Sequence, residues 1–304
     1  MADSTIISPD PLETATNPER VNYATGVLLD ARDFQDEQTY HRARLARALQ
    51  YLVGMGTIAG LGVTPPDAND AELHLKVDPG LALDRYGRLI ELDVPECIRL
   101  ARWFAAQDTS VLRGALHRAP AVPVDLALVA DVFLSWHECA RAKTPALAAG
   151  PFDALDAVVA ARLADCHALT LVPRAESTEP PPGGGAAPTL PTPANFWPDP
   201  AAFADPTVRR NQLLGAVIGS WFAASAAGSP LPPLREHVAG QDTSAVLLAR
   251  VTIPVSLPAG APANARPTLR LDQRVSVDNR LRPFIFLPGK WLGQALSSVA
   301  LVQP

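Results

Sequence analysis

Four residues carry the ligand types that a tetrahedral zinc ion takes: His137, Cys139, Cys166 and His167 offer two imidazoles and two thiols. Their spacing argues against a shared ion. One residue separates His137 from Cys139, Cys166 and His167 are adjacent, and neither half has the gap of about two to four residues usual in structural zinc sites. In a strand, Cys166 and His167 point to opposite faces. Packing rather than ligation is the expectation, with no metal and no cofactor. Glu138 has the chemistry of a general acid or base, yet no second carboxylate stands at a recognisable spacing. Asp67, Asp70 and Glu72 place oxygen ligands in one loop but lack the central glycine and terminal bidentate glutamate of a calcium hand, so the loop reads as solvated acid. Gly54, Gly56 and Gly60 resemble a phosphate-binding turn in composition only, because a dinucleotide loop follows a strand and opens a helix, whereas this one follows a helix. No Walker sequence and no serine in a nucleophile elbow occurs. The expectation is a protein that is not an enzyme.

The element written most clearly lies within Asn22 to Val63. Asp30 is the expected N-cap, its carboxylate accepting from backbone N–H groups just ahead, and Asp33, Asp36 and Glu37 suit the positive end of the helix dipole. The helix therefore begins near Ala31. Phe34, Gln38, His41, Leu45, Ala48 and Leu52 recur at alternating steps of four and three, a narrow seam that suits one partner, either the protein's own core or a second subunit. Arg42, Arg44 and Arg47 fall largely on the other faces and are candidates to meet acidic neighbours. Gly54 and Gly56 end the helix as a backbone hinge, since glycine takes a left-handed conformation without steric cost, and Thr57 to Val63 follows as a short strand.

The remaining text predicts an α+β protein, strand-rich with short meanders and a few packed helices. A chain of 304 residues, 48% hydrophobic and 19% charged, is long enough for substantial cores. Its 31 prolines and 19 glycines imply many turns. Five stretches are expected: an extended arm over 1–21, a helix and β-meander unit over 22–117, a mixed strand and helix unit over 118–175, a Pro/Gly-rich loop over 176–205, and a helix with strands over 206–304 that completes the second unit. In the meander, strands at Leu81–Leu83 and Leu89–Leu92 flank a hairpin turn at Asp84–Gly87. Ile98 to Leu112 reads as an amphipathic helix. Val124 to Trp136 reads as a central strand closed by His137–Cys139, and Pro151 opens a helix carrying Leu155, Val158, Val159 and Leu163 before a strand at 167–172. A core helix over about 206–226 and strands at 245–254 and 269–277 follow.

Bulk charge narrows the function classes. A net charge of −5 argues against nucleic-acid binding. Cys97, Cys139 and Cys166 are too few and scattered for a disulfide framework, which predicts synthesis in the reducing cytoplasm. The amino terminus has no basic region followed by an apolar run, and the longest apolar stretch, Leu213 to Ala227, is shorter than the ~20 residues that span a bilayer, so no membrane insertion is expected.

A wider pattern lies at Gly26-Val-Leu-Leu-Asp30, Asp33-Phe34, Glu37-Gln38, Tyr40, Arg42, Gly54-Met-Gly56, Gly60-Leu61, Val77-Asp-Pro-Gly-Leu-Ala-Leu-Asp84 and Gly87-Arg88. It resembles phage tail and phage-tail-like proteins encoded with the baseplates of contractile injection systems. The likeness covers about residues 22 to 95 and continues at Trp136–Cys139, Leu163–Pro173 and Val277–Arg280, while the arm and the loop at 180–185 fall outside it. The resemblance implies a structural role inside a multi-subunit, phage-like particle, with other tail or baseplate subunits as partners, self-association included, and no catalytic residues to carry over. Contact residues would then be Phe34, His41, Leu45 and Leu52 on the seam and Arg42, Arg44 and Arg47 beside it. A different class of function is a receptor- or glycan-binding module at a tail tip, with Trp197 and Trp291 as stacking platforms.

Overall fold

The structure, a computed structural model, describes residues 10–14, 19–67, 70–118, 122–145, 158–175, 205, 207–208, 231–258, 260–262 and 264–285. Leu155, Trp197, Trp291 and the apolar tail beyond 285 lie outside the described residues, as do nearly all of the Pro/Gly-rich loop and of the helix expected over 206–226. The fold is α+β, with antiparallel strands in three sheets.

After a short helix α1 (Pro11–Thr14) comes α2 (Ala31–Leu52), which starts where its cap chemistry dictates. Asp30 Oδ1 accepts from the backbone N–H groups of Arg32 and Asp33, and the Asp33 carboxylate accepts from the backbone of Asp30, a reciprocal capping box. The helix stops at two glycines with positive φ, +81° at Gly54 and +137° at Gly56. A Cβ on Gly56 would stand 2.5 Å from the Pro283 carbonyl oxygen, whereas one on Gly54 meets nothing. Gly54→Ala is therefore expected to cost about 1–2 kcal/mol from conformation alone, and Gly56→Val distinctly more. Thermal melts check this, and unchanged stability in both variants would remove the hinge.

Two three-stranded sheets follow. One joins β1 (Gly56–Gly60), β4 (Gly80–Leu83) and β5 (Leu89–Leu92) in the order β1-β4-β5; the other joins β2 (Val63–Thr64), β3 (His74–Val77) and β6 (Glu96–Arg99) in the order β2-β3-β6. The single strand expected over 57–63 is two, because the chain turns from one sheet to the other through left-handed Gly60 and Leu61. The helix expected over 98–112 is likewise divided: β6 takes Ile98, and α3 (Leu100–Ala106) and α4 (Thr109–Gly114) are separate short helices that bury Leu100, Phe104 and Leu112.

The third sheet is built on β8 (Leu126–Pro145). It pairs with β10 (Val246–Ser256) on one edge, and with β7 (Leu116–Arg118) and β9 (Val158–Pro173) on the other, while β10 also pairs with β11 (Thr268–Leu269) and β12 (Ser276–Asp278). Leu126, Leu128, Ala130, Val132, Leu134 and Trp136 enter the main core, and Ala127, Val129 and Phe133 enter two smaller clusters. Burial on both faces is why this strand reads as a continuous apolar run rather than an alternating one. The same main core takes Leu61, Leu75, Ile90 and Leu92 from the small sheets, so one apolar cluster runs through meander and large sheet alike.

Three expectations are corrected here. His137–Cys139 does not close the strand, which continues to Pro145. Val158, Val159 and Leu163 lie in strand β9, not in a helix, because residues 158–173 find a register on β8 that runs to Pro145 and overrides an ambiguous local pattern. The strand expected over 269–277 is two short ones, β11 and β12, separated by a turn. Beyond Leu134, where the pairing with β10 ends, β8 and β9 form a two-stranded ribbon.

Candidate functional site

The β4–β5 turn is the point on which α2 rests. Asp84 Oδ1 accepts from the backbone N–H groups of Tyr86 and Arg88, each at 2.9 Å, and Asp84 Oδ2 lies 2.6 Å from Arg88 Nε. Arg88, buried, then gathers its surroundings: its guanidinium donates to Asp10 at 3.3 Å, Glu13 at 2.8 Å and Ser244 at 3.1 Å, and its centre stands 4.5 Å from the Trp136 ring centroid and 4.8 Å from that of Tyr86. Burial pushes the Asp84 carboxyl up, against the pull of the Arg88 guanidinium and the two backbone donors.

Against this turn α2 presents small and polar residues. A Cβ on Gly87, at φ +79°, would fall 2.0 Å from the Ala46 carbonyl oxygen, so helix backbone and turn backbone are in direct contact. Gln50 Nε2 donates to the Arg85 carbonyl at 2.6 Å, and Arg42 reaches Asp10 at 3.3 Å. Arg85 in turn donates to the carbonyls of Pro232 and Thr243. The amino-terminal segment is thus anchored on its own chain at Asp10 and Glu13, and the arm expected to be extended over 1–21 carries the short helix α1 among its described residues.

The consequence is that the apolar seam faces away from the body. Phe34, Gln38, His41, Leu45, Ala48 and Leu52 are all exposed, with Phe34 at 53%, Leu45 at 63% and Leu52 at 68%. Tyr23, Val27 and Leu28, just before the helix, are exposed as well, Leu28 at 97%. His41 is bonded to Glu37 one turn earlier, at 2.9 Å. The three arginines do not form one basic face: Arg42 is committed to Asp10 and Trp136, Arg44 is exposed over the Tyr40 ring at 5.3 Å, and Arg47 is half-buried near Tyr51.

The residues with metal chemistry divide between two faces of the β8–β9 ribbon. Cys166 stands opposite His137 in register, and Cys139 and Cys166 are joined by a disulfide with Cα atoms 5.9 Å apart. This corrects the expectation of scattered thiols, since pairing of the two strands closes a separation of 27 residues. A two-stranded ribbon is marginal by itself, and this cross-link holds it together. His137 Nε2 lies 3.1 Å from Ser135 Oγ, while His167, opposite Trp136, binds Glu96 at 3.0 Å. Burial pushes Glu138 up, Asp10 and Asp165 add to this, and Arg42 opposes it. In the acidic loop Asp70 accepts from the backbone N–H of His74 and Glu72, and the His74 bond is the larger cause holding its carboxyl low. Among the described residues no group of three or more His, Cys, Asp or Glu is placed to hold a metal ion. No helix among them is long and apolar enough to cross a membrane.

Sequence reasoning missed the hub of Asp10, Glu13, Arg88 and Ser244. Only Asp84 and Arg88, four apart around a glycine turn, gave a local signal. It also missed a second buried network on the large sheet, where Arg250 grips Asp131 through two bonds of 2.7 and 2.8 Å and Arg174 lies 3.6 Å from the same carboxylate. The Asn279 side chain donates to the Val63 carbonyl and accepts from its N–H, both at 2.9 Å, and so completes the edge of β2. No protein-family model and no curated protein matches the chain.

Proposed function

We propose that the chain is a structural assembly component of a phage tail or contractile injection system baseplate that mediates contacts between subunits. One observation carries the contact reading: every residue of the four-and-three repeat on α2 is exposed, while the helix packs on its own chain through Ala46, Gln50 and Arg42. An amphipathic surface helix ordinarily turns its apolar stripe inward. A helix that does the opposite leaves a stripe whose burial stabilises only an assembly. The placement in a tail or baseplate is supported by the resemblance over about residues 22 to 95.

The test is replacement of the wild-type gene in the particle-producing strain by Leu45→Glu, and separately by Arg44→Glu with Arg47→Glu, leaving Arg42 to its bond with Asp10. Leu45→Glu is expected to keep the melting curve of the isolated subunit and to lower its occupancy in purified particles at least ~10-fold, because a charge then faces a desolvated contact. The double arginine variant is expected to show a smaller, salt-dependent loss. Full occupancy of the Leu45→Glu subunit would sink the reading.

A further inference from the structure

We infer that the Cys139–Cys166 disulfide is an exchange site for an anionic low-molecular-weight thiol of the glutathione class, with Cys166 as the leaving sulfur and Arg141 and Arg162 as the groups that receive the anion. The register of the ribbon brings these residues together. Ser135, His137, Cys139 and Arg141 alternate onto one face of β8, and opposite them on β9 stand Ala168, Cys166, Ala164 and Arg162. The disulfide crosses that face diagonally, with His137 on one side of it and the two arginines on the other. Cys139 and Cys166 are half-buried, and the methyl groups of Ala164 and Ala168 are too short to cover the bond, so a small reagent can reach it. The site shares no residue with the α2 contact surface proposed above and stands or falls apart from it.

Arg141 donates to Cys166 Sγ at 3.7 Å. A cation so placed favours the thiolate of that sulfur, and in thiol–disulfide exchange the sulfur that is the better thiolate leaves faster. Attack is therefore directed at Cys139. The incoming thiolate bonds to Cys139 Sγ, the Cys139–Cys166 bond breaks, and its electron pair departs on Cys166 Sγ beside the guanidinium. A second thiolate displaces Cys139 from the mixed disulfide, so two reagent thiols are oxidised to one disulfide while the protein takes up two electrons. The protons those thiols lose on ionising return to the two cysteines through solvent. Glu138 and Asp165, the carboxylates next along the two strands, pair across the opposite face, where His167 also binds Glu96. The face with the disulfide is thus left to His137, which is bonded to Ser135, and to the arginines. Arg141 and Arg162 stand directly across from each other, and both are exposed. Like charges in that position repel, and an anion between them relieves the repulsion. Carboxylates, of which glutathione carries two, are the anions whose geometry the guanidinium fork fits.

The experiment uses the full-length chain with Cys97→Ser, which removes the free exposed thiol, oxidised and kept in native buffer at low salt. Reduction by glutathione, by neutral 2-mercaptoethanol and by cationic cysteamine is followed by mass after alkylation, with each rate expressed per thiolate. Glutathione is expected to react about 5-fold faster than cysteamine, the size of one charge contact near the surface, and added salt is expected to narrow the gap. The variant carrying both Arg141→Gln and Arg162→Gln is expected to keep the melting curve, since both residues are exposed, and to lose that preference. Arg141→Gln alone is expected to slow even neutral 2-mercaptoethanol, because the leaving sulfur loses its cation whatever the charge of the reagent. Peptide mapping of the acid-quenched intermediate is expected to find glutathione on Cys139. Equal rates for the three thiols, exchange that proceeds only in denaturant, glutathione found on Cys166, or a chain that stays free of the disulfide in oxidised glutathione would each overturn the inference.

Discussion

Replacement of Arg88 by methionine is expected to destabilise the protein by about 3–5 kcal/mol at pH 7, the range for removing one partner of a buried ion pair. That is a large part of the roughly 5–15 kcal/mol that holds an ordinary protein folded. The reason lies in what the guanidinium leaves behind. Asp84 is fully buried and Asp10 nearly so, and Glu13 stands beside them, so three carboxylates lose the cation they share. Methionine fills much of the volume between Trp136 and Tyr86, which separates loss of charge from loss of packing. Arg88→Lys keeps the charge but not the fork that reaches Asp84, Asp10, Glu13 and Ser244 together, and an intermediate loss is expected.

The pH dependence of this variant follows from Asp84. Its carboxyl is already pushed up by burial, and without the guanidinium it rises further above its unfolded value near 4. A carboxyl whose folded pKa is raised contributes stability that is full below the unfolded pKa and is lost as pH climbs through the folded one. The deficit of Arg88→Met relative to the parent should therefore shrink between pH 7 and pH 5. Denaturant midpoints of both proteins at several pH values check this, and a deficit independent of pH would mean that packing, not uncompensated charge, is the cause.

How far the sequence reveals this structure depends on how local each signal is. The cap at Asp30, the glycine stop at Gly54 and the hairpin around Gly87 were legible because each is set by neighbours a few residues away. The seam itself was legible as a repeat, but its direction was not, since Ala43, Ala46 and Gln50 give no apolar signal and the helix is placed by a backbone contact with Gly87. Residues 158–163 were misread as helical because a helix and a paired strand accept the same valines and alanines, and only the register on β8 decides. The Cys139–Cys166 pair was hidden for the same reason. Long-range charge pairs such as Arg88 with Asp10 and Arg250 with Asp131 leave no trace in spacing, because the fold alone brings them together.

Gly87→Val is expected to detach α2 while leaving the large sheet folded, and so to remove the seam without touching it. Two costs coincide at this position. A β-branched residue at φ +79° is strained by roughly 1–3 kcal/mol. Its Cβ would also stand 2.0 Å from the Ala46 carbonyl oxygen and 3.0 Å from the Ala46 Cα, backbone atoms of a regular helix that cannot turn aside as a side chain does. Relief requires α2 to lift from the turn. The bonds that hold it there include Gln50 to the Arg85 carbonyl and Arg42 to Asp10, each of a kind worth roughly 0.5–3 kcal/mol, with the bond to the charged pair the stronger. Lifting the helix is therefore less costly than unfolding β8 and β10, whose residues are buried on both faces. Amide exchange should accordingly show lost protection over 31–52 and retained protection over 126–134 and 246–255. If all segments lose protection together, α2 is integral to the core of the fold; if none does, the turn yields and the contact between Gly87 and Ala46 does not fix the helix.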